Sequence, residues 1–359
     1  MARGGASQRC TKIILIETPE DKANTAIYDS AHLQVLNSFS SPKEIKDLSP
    51  ADIADLSEAT VIFASPLASQ EDAKTIETLL TTLPNNGENI AWIHARSAGV
   101  EHLLTHNFTS PNPKPNKILI EHRSVMTNAR GCFSSTLGEY CMGAIFYFNK
   151  DIPRLLKNKA ERNYERYCVG EIRGKRLGIV GYGDIGTACA RLANAYGMVL
   201  SGLKRDPTSL TEEDKKLLNG GVFGVDGLCD MVKQCDYLLI AAPLTDETRG
   251  LFGEAAFKAM QPGSVIINLG RGPVVDEKSM IAALKGGNLR GAALDVFDVE
   301  PLPKDNDLWT LGNVLLSPHN MDMTTTFTKE ATDFFVENLV EKWVNGDDLV
   351  NKVNKEKGY

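Results

Sequence analysis

The sequence predicts an α/β protein of two domains built on parallel sheets, and three observations carry that prediction. Short apolar runs alternate with helical patterns along most of the chain, a glycine motif sits between one such run and the helix after it, and 359 residues suit about two domains of ordinary size.

In the first series, Ile13-Ile14-Leu15-Ile16, Val61-Ile62-Phe63-Ala64, Ile90-Ala91-Trp92-Ile93 and Ile118-Leu119-Ile120 read as buried strands. The segments between them are long enough for crossover helices, so the strands run parallel. Ser110-Pro111-Asn112-Pro113-Lys114-Pro115 reads as a surface loop. Ser134 to Lys150 reads as a long apolar helix with little charge between Leu137 and Phe148, buried at a junction. A second series follows. Its strands are Arg176-Leu177-Gly178-Ile179-Val180, Val199-Leu200-Ser201-Gly202-Leu203, Tyr237-Leu238-Leu239-Ile240, Val265-Ile266-Ile267-Asn268, Ala292-Ala293-Leu294-Asp295 and Val314-Leu315-Leu316. Six strands in that arrangement match the count of a dinucleotide-binding Rossmann fold. From Thr324 to Val344 the pattern is helical, with Phe327, Ala331, Phe334, Phe335, Leu339 and Trp343 near one face.

Composition narrows the function. Hydrophobic residues are 42% and charged residues 24%, as in a soluble globular protein. A net charge of -7 argues against nucleic acid or an anionic membrane as partner, and no apolar run reaches the roughly 18 residues of a membrane span. The seven cysteines are scattered without a Cys-x-x-Cys pair and read as reduced thiols of a cytoplasmic protein. The six histidines have no metal-ligand spacing, so no metal is expected. Met1 to Cys10 lacks a secretory core and reads as a frayed terminus, with a short organellar presequence as the alternative.

Gly181-Tyr182-Gly183-Asp184-Ile185-Gly186 fits G-x-G-x-x-G and lies between the strand ending at Val180 and the helical pattern Ile185 to Tyr196. Gly181 permits a tight turn, Gly183 admits a pyrophosphate to the backbone, and Gly186 lets helix and strand pack closely. The unpaired N–H groups and positive dipole end of the helix then face the pyrophosphate. The end of the next strand chooses between NAD and NADP. An acid there would bind the ribose 2′-hydroxyl, whereas Lys204 and Arg205 occupy the place where the acid is expected. Two cations favour NADP; Asp206, two positions late, keeps NAD as the alternative.

Three further segments put polar groups at carboxyl ends of strands, where ligands of open α/β sheets bind. They are Asn268-Leu269-Gly270-Arg271, Asp295-Val296-Phe297-Asp298-Val299-Glu300 and Ser317-Pro318-His319. Each residue alone reads equally as a surface ion pair, a loop acid or a satisfied structural histidine. Their joint placement favours a site.

With these residues the chain resembles the D-isomer-specific 2-hydroxyacid dehydrogenases. The likeness runs through Ser97-Ala98-Gly99-Val100-Glu101-His102, Asn128, the glycine motif, Pro243 to Gly250, Asn268 to Asp276, Gly291 to Pro303 and Ser317-Pro318-His319. It implies two Rossmann-like domains with parallel sheets, the nucleotide domain (131–319) inserted into a discontinuous substrate domain (1–130 and 320–359). It implies that Arg271, Glu300 and His319 are catalytic. It places Asp184, Ile185, Pro243, Thr248 and Leu269 along the cofactor with the motif glycines, and Asp295 on the nicotinamide carboxamide. It puts the backbone near Ala98 and Gly99, with Arg271 and His319, around a small 2-oxo or 2-hydroxy acid. It also suggests a homodimer, for which the helix after Ser134 is suited.

The chemistry agrees with those roles. A guanidinium grips carboxylate and ketone oxygens with a planar fork of donors. A histidine protonates the developing alkoxide near neutral pH, and a carboxylate beside it raises its pKa and fixes its tautomer. The chain departs from the family after the histidine, where small residues are common but His319-Asn320-Met321-Asp322-Met323-Thr324 stands. Tyr164 and Tyr167 occupy a stretch where Trp is common. The leading reading is a 2-oxoacid reductase acting on glyoxylate, hydroxypyruvate or a larger analogue. Phosphoglycerate dehydrogenase is the enzymatic alternative, formate dehydrogenase a weaker one, and an NAD(H)-sensing corepressor the non-enzymatic one.

Overall fold

The computed structural model describes residues 11–16, 33–64, 70–106 and 113–358. Met1 to Cys10, and Ser110 to Asn112 of the proline-rich loop, lie outside the described residues. The chain divides into two compact units, Met1–Cys132 with Thr325–Tyr359, and Phe133–Thr324.

The first unit holds β1 (Thr11–Ile16), β2 (Leu33–Phe39), β3 (Val61–Ala64), β4 (Trp92–Ala95), the two-residue pair β5 (Thr105–His106) and β6 (Lys114–Pro115), and β7 (Val125–Asn128). Five of these form a parallel sheet ordered β2-β1-β3-β4-β7. Both faces are covered, as parallel sheets require. Alternate residues point to opposite sides. Ile14, Ile16, Ile62 and Ile93 pack with Ile76, Leu79 and Leu80 of the helix Gln70–Thr82. Ile13, Leu15, Phe63 and Trp92 pack with Phe335 of the helix Phe327–Asn338.

One expected strand is a helix. Ile118-Leu119-Ile120 lies in the helix Lys117–Glu121, because the buried Asn116 caps it by accepting from Leu119 N at 3.3 Å. The same side chain donates to Leu103 O at 2.8 Å, which ties the cap to the core. Three apolar residues are too few for periodicity to separate helix from strand. The strand that completes the sheet, β7, carries the buried polar residues Thr127 and Asn128 instead.

The second unit holds β8 (Arg176–Val180), β9 (Val199–Leu203), β10 (Gly221–Phe223), β11 (Tyr237–Ile240), β12 (Ser264–Asn268), β13 (Leu289–Leu294) and β14 (Val314–Leu316). They form one parallel sheet ordered β10-β9-β8-β11-β12-β13-β14. The order runs outward from β8 through β10, then restarts at β11 on the other side. That reversal is the switch point of a Rossmann sheet, extended by a seventh strand. The strand missed in the sequence is β10, only three residues long and half-buried. The helix Ser134–Asn149 packs Cys141 and Ile145 with Cys189, Ala190 and Ala193 of the helix Asp184–Ala195 on one face of this sheet. The described cysteines are free thiols. Among the described residues, no helix is long and apolar enough to cross a membrane.

Candidate active site

The glycine motif follows β8 at the switch point, and each glycine has its own steric reason. Gly181 has φ +93° and a Cβ there would lie 2.5 Å from Ala242 N, so the turn tolerates no side chain. A Cβ on Gly186 would lie 2.7 Å from Gly181 O, which fixes the close approach of the helix to its strand. Gly183 differs: nothing stands within 4 Å of its would-be Cβ. The protein's own packing therefore leaves this face open beside the first turn of the helix Asp184–Ala195, whose N-cap Gly183 offers no side-chain acceptor. A pyrophosphate fits that cradle of orphan N–H groups. Asp184 is exposed, Ile185 is half-buried and Gly186 buried.

The neighbouring loops close the same end of the sheet. Thr248 Oγ1 donates to Pro243 O at 2.6 Å and accepts from Thr245 N at 2.8 Å, which folds the loop after β11. Leu269 is buried and donates its N–H to Ile240 O at 2.9 Å. Beyond β9, Lys204 is half-buried and Arg205 is exposed, in an ion pair with Glu247 at 3.2 Å. Asp206 is committed locally. It accepts from Thr208 N at 3.0 Å as the cap of a short turn, and that bond with the Thr208 hydroxyl holds its carboxyl below the usual range.

Arg271, Glu300 and His319 are brought to one place by three separate strand ends. Asn268, the last residue of β12, shapes the first. Its Oδ1 accepts from Gly270 N at 3.1 Å and its Nδ2 donates to Arg271 O at 3.2 Å. Gly272 lets that turn lie against the next one, since a Cβ would sit 1.8 Å from Phe297 O. Phe297 N in turn donates to Glu300 Oε1 at 2.9 Å, which leaves Glu300 Oε2 to meet His319 Nδ1 at 2.8 Å. His319 carries its side chain on a left-handed backbone, φ +51°, a conformation costing a non-glycine residue about 1–3 kcal/mol. Asp295, buried at the end of β13, holds the turn there. Its Oδ1 accepts from Asn320 N at 3.1 Å and its Oδ2 from Met321 N at 3.4 Å. Thr136 Oγ1 adds a bond to Met321 O at 3.0 Å. These bonds keep residues 320 and 321 with the second unit.

The electrostatics follow from this geometry. Burial alone pushes His319 toward the neutral form, but the hydrogen bond and charge of Glu300 outweigh it and lift the imidazole above its ordinary value. Burial alone raises Glu300, but the His319 bond, the His319 charge and the Phe297 N–H together pull it below its ordinary value. Both shifts describe a charged pair with Arg271 nearby. Nδ1 is engaged by the carboxylate, so Nε2 is the ring nitrogen left to donate a proton.

Ala98 and Gly99 belong to the first unit, just past β4. Ala98 is exposed and its carbonyl accepts from Asn128 Nδ2 at 2.7 Å, while Gly99 O accepts from Ser97 Oγ at 2.7 Å. Tyr164 is exposed, and Tyr167 stacks under Arg154 with 4.1 Å from guanidinium carbon to ring centre. Sequence reasoning assigned no role to Asn268 or Gly272. A polar residue ending the buried run Val265-Ile266-Ile267 was the available signal.

Residues 142–320 match the family model described as "D-isomer specific 2-hydroxyacid dehydrogenase, NAD binding domain". Glyoxylate/hydroxypyruvate reductase B of Enterobacter sp. is 30% identical over 87% of this chain and 90% of its own length. D-3-phosphoglycerate dehydrogenase of Methanocaldococcus jannaschii is 34% identical over 64% of this chain, and the match spans only 43% of that longer relative. In structure, an NADPH-dependent glyoxylate/hydroxypyruvate reductase of Sinorhizobium meliloti, solved with NADP and sulfate, aligns with TM-score 0.76 over 97% of this chain and 100% of that one. At 21% identity, that likeness is one of fold.

Proposed function

The chain belongs to the D-isomer specific 2-hydroxyacid dehydrogenase family, and on that premise we propose that it reduces a small 2-oxo acid to the D-2-hydroxy acid with NAD(P)H. The observation that carries the reading is the His319–Glu300 pair at 2.8 Å, its imidazole raised and its carboxyl lowered in pKa, with Arg271 acting on both members.

The residues divide the work by their chemistry. Arg271 grips the carboxylate and polarises the 2-oxo oxygen. NAD(P)H, held at Gly181, Gly183 and Gly186 and the helix that follows them, would supply the hydride. As the carbonyl oxygen gains charge, His319 Nε2 gives it a proton, and Glu300 stabilises the imidazolium beforehand and fixes its tautomer. Asp295 keeps the His319 turn in register and is assigned to the nicotinamide carboxamide. The assignment of Ala98 and Gly99 to the substrate carboxylate rests on the family resemblance.

NADP is the preferred cofactor in this reading. Lys204 and Arg205 follow β9, and Asp206 is spent on capping its own turn. We extend the reading to a homodimer in the cytoplasm. Leu155 and Leu156 on the helix Ile152–Ala160, and Tyr164 beyond it, expose apolar surface that a second copy would cover. Light scattering of the purified protein tests this last point, and a monomer at micromolar concentration contradicts it.

The activity is tested by following absorbance of the reduced nicotinamide while the protein meets glyoxylate, hydroxypyruvate, its phosphorylated analogue and larger 2-oxo acids, with NADPH and NADH in parallel. Saturable oxidation with one acid supports the reductase. Turnover confined to the phosphorylated acid would replace it with phosphoglycerate dehydrogenase. Tight cofactor binding without any turnover would favour a nucleotide-sensing protein. Oxidation of NADH alone would sink the cofactor preference. Lys204→Ala is expected to weaken NADPH about tenfold and NADH little.

A further inference from the structure

β7 is the last strand of its sheet, yet the chain between Asn351 and Val353 meets its outer edge. Val353 N donates to Met126 O at 2.8 Å, and Thr127 forms an antiparallel bridge with Lys352. At Asn351 the side chain joins in. Asn128 N donates to Asn351 O at 3.3 Å, and Asn351 Nδ2 donates to Asn128 O at 3.3 Å and to Arg130 O at 2.7 Å. Arg130 answers with its guanidinium, Nη2 donating to Asn351 Oδ1 at 3.2 Å. One half-buried side chain therefore fixes the backbone of residues 128–130. Asn351 itself stands at φ +53°, in the left-handed region that asparagine enters more readily than other side-chain-bearing residues.

Residues 128–130 in turn hold the loop after β4. Asn128 is buried, and its amide is gripped at both ends: Oδ1 accepts from Arg130 N at 3.3 Å, and Nδ2 donates to Ala98 O at 2.7 Å. Ala129 N donates to Ser97 O at 3.0 Å. All of these contacts lie within the first unit. In a trans peptide the carbonyl and the N–H that follows it point in opposite directions. With the carbonyls of Ser97 and Ala98 drawn toward residues 128–129, the N–H groups of Ala98 and Gly99 are turned away from them. Successive N–H groups presented by a loop suit the oxygens of an anion such as a carboxylate.

We propose that Asn351 is a positioning residue for substrate binding, which sets the N–H groups of Ala98 and Gly99 for the substrate carboxylate by way of Asn128 and Arg130. This deepens the reductase reading and rests on it, including its assignment of that loop to the carboxylate. Asn351 acts through other residues, so its effect is on the shape of the loop. The N–H groups hold the carboxylate alike before and during hydride transfer. A displaced loop therefore raises KM and leaves kcat largely in place. Hydrogen bonds to a charged group are strong enough that weakening one costs about tenfold in affinity.

The test is the split between KM and kcat. Asn351→Gly keeps the left-handed backbone at no steric cost and removes the side-chain bonds. Asn351→Asp keeps an acceptor for Arg130 and loses both donations, and it decides alone if the glycine variant does not fold. Lys355→Ala is the control. It removes the bonds that Lys355 Nζ donates to Leu119 O at 2.9 Å and to His122 O, close in sequence to Asn351 but not to residues 128–130. Steady-state rates are measured with the 2-oxo acid that the wild type reduces best, starting from glyoxylate and hydroxypyruvate, beside an NADPH titration and thermal unfolding. KM should rise about tenfold in Asn351→Gly and about threefold or more in Asn351→Asp, with kcat and the NADPH dissociation constant within about twofold of wild type. Lys355→Ala should leave KM unchanged even where it lowers Tm. A merely structural role reads differently, because unfolding a fraction of the protein lowers apparent kcat and leaves KM alone. KM within about twofold of wild type in the Asn351 variants, or an equal rise of KM in Lys355→Ala, overturns the positioning role and leaves the reductase in place. A wild type that reduces no 2-oxo acid overturns the reductase reading and the positioning role with it.

Discussion

Two histidines sit among parallel strands of this protein, and their surroundings drive them to opposite protonation states. His94 lies inside β4 of the first unit, fully buried, with ring centres of Phe335, Phe63 and Trp92 at 5.2, 5.6 and 6.0 Å. Its Nδ1 meets the Thr127 hydroxyl at 2.7 Å, and among the described residues no carboxylate acts on it; burial, helped by the charge of Arg96, lowers its pKa to about 3. His319 of the second unit keeps 39% of its side-chain surface exposed; its partial burial also lowers the pKa, but the hydrogen bond and charge of Glu300 outweigh that and raise it. Burial alone makes a histidine a neutral packing residue. A partly exposed histidine beside a fixed carboxylate is held toward its protonated form, as the proposed proton donor requires. The comparison separates a structural from a chemical histidine without reference to sequence position.

The largest break should come at the chemical end. His319→Ala is expected to lower kcat by about 10³–10⁴, the upper range for losing a general acid, with cofactor dissociation constants unchanged. Steady-state rates beside a cofactor titration check this, and full turnover in the variant would contradict the role. At the structural end, Phe335→Ala opens the aromatic box around His94. It should cost about 3–5 kcal/mol of stability in a denaturant titration, because Phe335 is fully buried and stacks on Phe63 at 4.1 Å between ring centres. A loss below 1 kcal/mol would mean that the box collapses to fill the gap.

Two smaller effects sharpen the contrast through pH. His94 has a folded pKa below its unfolded value, so its contribution to stability is present above pH 6.5 and is lost as the pH falls toward 3, by about 1.4 kcal/mol per unit. Between pH 7 and 5 the wild type should therefore lose about 2 kcal/mol more than a His94→Asn variant, and equal losses would contradict the burial argument. Glu300→Gln removes what lifts His319. Reduction needs the protonated imidazole, so kcat/KM falls as pH rises through that raised pKa. In the variant the fall should begin at lower pH, with kcat/KM reduced about tenfold at pH 7. An unmoved pH profile would show that Glu300 does not tune His319.

The two units were also unequally legible in the sequence. Strands buried on both faces, such as Leu177 to Val180 and Tyr237 to Ile240, announce themselves as apolar runs, and Gly181 and Gly186 mark the switch point because sterics leave no other choice there. Edge and mixed strands do not. Leu33 to Phe39 alternates with Gln34, Asn37 and Ser38, β7 ends in Thr127 and Asn128, and β10 has three residues, so none formed a visible run. Ile118 to Ile120 did form one, yet a buried Asn116 cap turned it into a helix. At the site, residue types and strand ends were readable, but the bonds that orient them were not. The pairing of Glu300 with His319, the Asn268 clasp on Arg271, and the hold of Asp295 on the turn after His319 all join residues apart in sequence or concern backbone atoms.

The proposed reduction of a 2-oxo acid turns on the proton that His319 would donate. The most direct measurement is single-turnover oxidation of bound NADPH by the preferred acid, with wild type and His319→Ala compared at saturating cofactor. A single-turnover burst is expected in the wild type and a rate at least about 10³-fold slower in the variant, with the same amount of NADPH bound. Equal rates in the two proteins would contradict it.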